Sequence, residues 1–188
     1  VPDHPDEPFA MAGYVALLYS IVLTPQRRVV MEELRAIAAG CGYDHPRTLA
    51  STGNLVFEAP EQDIAAIETR LEAGFRSHYG KHVDIIVRSA EGWRSTVAGN
   101  PFPAEAERDG SLVIARLMRA PLGEETLGKL ERYLDGGERL ALVGGDLWIA
   151  FAGAPSESRL AGALSTKRLG IGTARNWNTI RGLGQMLA

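Results

Sequence analysis

Short strands and amphipathic helices follow the order β-α-β-β-α-β over residues 12–88, and the same order begins again near residue 112. That order predicts an α+β fold of two ferredoxin-like (βαββαβ-type) halves in tandem, the second atypical and ending in helices. Two glycine-bearing turns, Thr52-Gly53-Asn54 and Gly144-Gly145-Asp146, fall at matching places in the two halves and predict hairpins. Asn100-Pro101-Phe102-Pro103 divides the halves, because prolines end the helix before them. The expected organisation is a disordered extension over residues 1–10, a first subdomain over 11–100, and a second over 101–188 with a basic C-terminal helical segment.

Each element has its own signal. Val1–Phe9 holds three prolines and three acids and lacks the apolar content to fold. Gly13–Ser20 is an apolar run with a tyrosine near each end, the pattern of a buried strand. Met31, Leu34, Ile37 and Ala38 recur at helical spacing, and Gly40 and Gly42 stop that helix. Arg47–Ser51 and Leu55–Glu58 are the strands around the first hairpin turn. Ile64, Ile67, Leu71, Phe75 and Tyr79 form one stripe of the clearest helix, which spans Glu61–Tyr79 and ends at Gly80. Val83–Arg88 is the next strand, and Ala90–Ala98 a short helix. In the second half, Leu112–Met118 predicts a strand and Glu124–Leu134 a helix. Arg139–Val143 and Leu147–Phe151 are the strands of the second hairpin, and Ser158–Leu169 is expected to be helical. Thr173–Arg175 is a short last strand, and a helix begins near Asn176–Trp177.

The net charge of −3 argues against a nucleic-acid partner, since phosphate affinity rests on clustered cations. Charge is nonetheless uneven. Ser156–Ala188 holds Arg159, Lys167, Arg168, Arg175 and Arg181 against Glu157, a surplus of +4, which leaves −7 for the first 155 residues. Such asymmetry is a weak pointer to an anionic partner, and a solvated basic helix face is the simpler reading. Cys41 is the single cysteine, so no disulfide can form within the chain, and a reducing, cytoplasmic setting is expected. Cys41 continues the stripe of Val30, Leu34 and Ile37, as a packed thiol would. The longest apolar run, Gly13–Leu23, is too short for a bilayer, so no membrane association is expected.

Several motifs fail on inspection. Gly170-Ile171-Gly172 lacks the preceding strand and third glycine of a dinucleotide site. His4, His45, His78 and His82 are scattered, so no metal site is expected. Ser20, Ser51 and Ser158 have no motif that would supply a base. No cofactor is implied.

Thr173-Ala174-Arg175-Asn176-Trp177-Asn178-Thr179 survives this filtering. Asn176 at a helix start can accept a hydrogen bond from a free first-turn N–H. The remaining N–H groups and the helix dipole, with Arg175 beside them, would form an anion site. The opposing reading is concrete: Trp177, Ile180, Leu183 and Leu187 form a core stripe, and Arg175 bridges to a carboxylate of the first half.

Tyr14-Val15-Ala16-Leu17-Leu18, Met31-Glu32-Glu33-Leu34-Arg35, Thr52-Gly53-Asn54-Leu55-Val56-Phe57, Asn100-Pro101-Phe102-Pro103 and Thr173–Thr179 occur in this order. Together they resemble the uncharacterised bacterial family called domain of unknown function 1697, over about residues 11–188. The resemblance implies an α+β fold of ferredoxin-like halves and no known activity. It also exposes a departure. Where that family has a glycine-rich loop of the type Arg-Gly-Ile-Asn-x-Gly-Gly, this chain has Tyr19-Ser20-Ile21-Val22-Leu23-Thr24-Pro25, a poor presenter of backbone N–H groups.

The functional expectation is binding of a small anionic ligand, such as a nucleotide, by Arg175, Asn176 and Thr179, with Thr52 and Asn54 contributing. Alternatives are an enzyme acting on that ligand with a base such as His45, and a purely structural or protein-interaction role. Sequence does not set the oligomeric state.

Overall fold

Strand β1, Met11–Leu18, sends alternate side chains into two different cores, and this sets the layering of the molecule. Tyr14, Ala16 and Leu18 face one core, Val15 and Leu17 the other. Both faces of the sheet are therefore covered, which is why the run is apolar throughout. The computed structural model describes residues 9–188, so most of the extension expected over residues 1–10 lies outside the described residues.

After β1 comes a small hairpin, β2 (Val22–Thr24) with β3 (Arg27–Arg28), where no element was expected. Helix α1 (Met31–Gly40), strands β4 (Asp44–Thr48) and β5 (Asn54–Pro60), helix α2 (Ile64–Tyr79) and strand β6 (Ile85–Ser89) complete the first half. Its four-stranded sheet has the order β4-β5-β1-β6 and is antiparallel throughout. Leu34, Ile37, Ile67, Leu71 and Phe75 of the two helices pack against Leu55, Phe57, Ile85 and Val87 of that sheet. Gly80 caps α2 at φ 73°, a left-handed conformation in which a side chain would be strained.

Helix α3 (Ala90–Ala98) leads through the proline pair into helix α4 (Pro103–Arg108), which the sequence did not announce. The second half follows: β7 (Val113–Met118), α5 (Glu125–Glu131), β8 (Arg139–Val143), β9 (Asp146–Ala150), α6 (Thr166–Leu169), β10 (Gly172–Asn176) and α7 (Trp177–Met186). Its antiparallel sheet has the order β10-β7-β9-β8. In each sheet the four strands, taken in chain order, lie second-third-first-fourth. Gly144 and Gly145 both take positive φ (60° and 85°), the backbone that a two-residue hairpin requires.

The helix expected over Ser158–Leu169 is corrected. That stretch holds a 3-10 turn at Ala161–Ala163 and the four-residue α6. The Ser158 hydroxyl pairs with Glu138 and accepts from Leu160 N at 3.2 Å, so local side-chain bonding displaces a helix start. Helix α5 is likewise shorter than expected.

Between the sheets lies a shared core. Val15, Leu17, Val56 and Ile86 meet Val113, Ala115, Leu117, Trp148 and Ala150, with Trp93 of α3 and Ile180 and Leu183 of α7 closing one end. The Trp93 indole N–H donates to Ile180 O at 3.1 Å. The far face of the second sheet packs Leu147, Ile149 and Phe151 against Leu130 and Leu160. The molecule is a mixed α and β structure with antiparallel sheets, and no helix among the described residues is long and apolar enough to cross a membrane.

Candidate functional site

Strand β10 is the edge of the second sheet, paired to β7 with Ala174 opposite Arg116 and Arg175 opposite Ala115. Its last residue, Asn176, stays extended (φ −79°, ψ 165°), and α7 begins at the next position. The Asn176 side chain accepts from Thr179 N at 3.1 Å, as an N-cap should. Asn176 and Thr179 are thus joined to each other at the helix start.

Arg175 turns away from that helix start toward the first half. Its Nε donates to Asn54 Oδ1 at 2.6 Å. Nη1 donates to Thr173 Oγ1 and Ala174 O, each at 2.8 Å. Nη2 donates to Leu18 O at 2.8 Å, with Thr52 O at 3.3 Å and Gly53 O at 3.4 Å. A guanidinium has five N–H donors, so this set leaves none for an outside anion. The structure therefore brings Thr52, Asn54 and Arg175 together and leaves Asn176 and Thr179 in a separate cap. The expected bridge from Arg175 to a carboxylate is corrected: every acceptor is neutral.

Asn54 is fully buried and equally occupied. Its Nδ2 donates to Leu49 O at 3.0 Å and to Thr52 Oγ1 at 2.7 Å. Gly53 between them takes φ 78°, and a Cβ there would lie 2.9 Å from the Leu18 Cβ. A side chain at that position would push apart the turn that supplies three of the acceptors. The result is a clasp that ties the edge of the second sheet to the first hairpin.

Electrostatically the clasp is unusual. Burial pushes the Arg175 guanidinium down to about 10, because neutral carbonyls do not restore what water supplied. Arg116, on the neighbouring strand and the opposite face, shares this condition and had not been singled out. It is 4% exposed, donates from Nη2 to Gly170 O at 3.1 Å and Thr166 Oγ1 at 3.4 Å, and leaves Nε without a partner. Burial lowers its pKa as well. The one signal that could have found it was a lone arginine in the apolar run Leu112–Met118. Two arginines that bridge the halves do have carboxylates: Arg88 with Asp146 at 3.1 Å, and Arg119 with Glu68 at 3.1 Å and with Glu72.

Chemically, the clasp holds no group that moves a proton near neutral pH. His45, the base considered from sequence, lies on β4 at a bulge with φ 50° and is not among the clasp's partners. Glu72, His82 and Asp84 come within 4.8 Å of one another, yet the Arg119 guanidinium sits on Glu72. Cys41 donates to Arg70 O at 3.5 Å and burial raises its thiol, in keeping with a packed residue. Leu55, Val56 and Phe57 are buried, so they present no aromatic ladder to RNA.

A family model described as "Protein of unknown function (DUF1697)" matches residues 11–148. The chain belongs to that family. The match ends before Thr173–Thr179, so the clasp arginine stands outside the residues that show the family. No curated protein matches the chain. Among solved structures, the conserved bacterial protein SP0830 from Streptococcus pneumoniae is similar over 95% of this chain and 100% of that one, with 23% identity and a TM-score of 0.74. That likeness is one of fold.

Proposed function

We propose that this member of a family of unknown function is a cytoplasmic protein that binds a small anionic ligand without transforming it. Its frame would be two ferredoxin-like units in tandem, over residues 11–100 and 101–188, a reading supported by the repeated second-third-first-fourth strand order. The observation that carries the binding reading is uncompensated positive charge. Arg116 and Arg175 are enclosed on adjacent strands without a carboxylate partner, inside or beside a stretch with a surplus of +4. With the Arg175 donors already filled, that charge would act on an anion through its field and not by contact. Thr52, Asn54 and Arg175 would serve binding by fixing the joint between the units, and Asn176 and Thr179 by starting α7.

Thermal unfolding with phosphate, adenosine monophosphate, benzoate and phenyl phosphate, against sodium chloride of equal ionic strength, tests this. An anion at about ten times its Kd adds roughly 1.4 kcal/mol, a rise of ~3–6 °C for a chain of this size. If every anion behaves like chloride, the protein is not an anion binder. A purely structural role is the second reading, favoured by the full occupancy of the Arg175 donors.

A further inference from the structure

We propose that the anion site is the cavity between α5 and α6, and that it takes a small organic anion: a phosphate or carboxylate head on a flat, apolar body. This assignment rests on the binding reading above and places its site away from the clasp. The cavity measures about 420 Å³, within the usual range for small-molecule sites. Leu122 and Leu130 give it an apolar floor, and Lys129, Arg132, Tyr133 and Arg168 form its polar wall.

Tyr133 organises that wall. The Arg132 guanidinium carbon lies 5.0 Å from the centre of its ring and that of Arg168 lies 5.1 Å away. Arg168 Nη1 also donates to the phenol oxygen. That bond, with Arg132 nearby, holds the Tyr133 phenol below its ordinary value. One aromatic ring thus draws in two guanidiniums that would otherwise repel, and holds both on the cavity. Among the described residues, none of Lys129, Arg132 and Arg168 has a carboxylate within ion-pair distance. Glu125 is the one acid in the lining, and its carboxylate folds back over Gly123. Three cations against one acid favour an anionic head, and the leucine floor favours an apolar body.

The test is titration calorimetry of the full chain with phenyl phosphate, benzoate and inorganic phosphate, with benzylamine as the cationic control. Phenyl phosphate or benzoate should bind at least ~10-fold more tightly than inorganic phosphate, and the two arms distinguish a phosphoryl from a carboxylate head. Lys129→Ala/Arg168→Ala should weaken the better probe by at least ~10-fold, while Arg28→Ala, at an exposed cation of the first half outside the cavity, leaves it unchanged. Circular dichroism checks that both variants are folded, and a ligand-induced shift of the Tyr133 absorbance titration, lost in Tyr133→Phe, reports the site directly. If anions bind the wild type but the double variant binds them equally well, the cavity assignment is wrong and the binding reading stands. If no anion binds the wild type, both fall. Equal binding of benzylamine, or of inorganic phosphate and phenyl phosphate, overturns the ligand class.

Discussion

Arg175 shows how a cation can be structural without an anion. Hydrogen bonds to a charged group contribute about 1.5–3 kcal/mol each, against a desolvation cost of several kcal/mol for the ion. Four of its acceptors are backbone carbonyls that the first hairpin, β1 and β10 leave pointing at it. A point-like ammonium has three donors and cannot span that set. Arg175→Lys should therefore lower unfolding stability by ~2–4 kcal/mol in urea titration, whereas Arg159→Lys on the surface should stay within about 0.5 kcal/mol. A loss under about 0.5 kcal/mol at Arg175 would mean that the clasp does not hold the halves. The residue was conspicuous in sequence by its neighbours. Asn54 was conspicuous too, in the Thr52-Gly53-Asn54 turn, but their direct bond was not legible, because the two lie 121 positions apart and only the fold joins them.

The passage from β10 into α7 was legible because caps are written locally. An extended asparagine followed by Trp177, Ile180 and Leu183 at helical spacing needs no tertiary information. Asn176→Ala should cost about 1 kcal/mol, and circular dichroism of the variant should retain the native helix content. A cost near zero would place the helix start in its packing on Trp93 and Trp148 instead. Gly182 and Gly184, which weaken a helix taken alone, have a tertiary reason. Cβ atoms there would come within 2.9 Å of Leu49 and 3.1 Å of Val97, so α7 approaches its neighbours closely. Other elements could not be read. The β2–β3 hairpin has strands of three and two residues, too short for any periodicity. Ser158–Leu169 carries helix-like apolar spacing, but Leu160 and Ala163 reach the core through 3-10 turns. The cavity on α5 was invisible for a related reason. Lys129, Arg132 and Tyr133 lie in or just after α5, and only the fold sets Arg168 of α6 beside them.

The two halves are joined by an apolar core and by arginines at its margin, and the acids in that joint predict a stability that depends on pH. Asp146 accepts from Met118 N at 2.7 Å and pairs with Arg88 across the interface. Burial raises its pKa, and this outweighs the opposing pull of Arg88 and of the Met118 N–H. Glu68 is raised for the same first reason. A carboxyl raised on folding binds more protons in the native state than in the unfolded one, so its contribution falls as pH rises. It is present below the ordinary aspartate value of about 3.9 and is lost as pH climbs through the raised folded value. Asp146→Asn keeps an acceptor for Met118 N and removes the titration, while Glu68 is common to both proteins. Urea denaturation of the pair from acid to neutral pH should then show wild type losing ground to Asp146→Asn as pH rises. The opposite trend would mean that the Arg88 ion pair outweighs desolvation. The halves would then be drawn together by charge, and high salt should weaken wild type more than the variant.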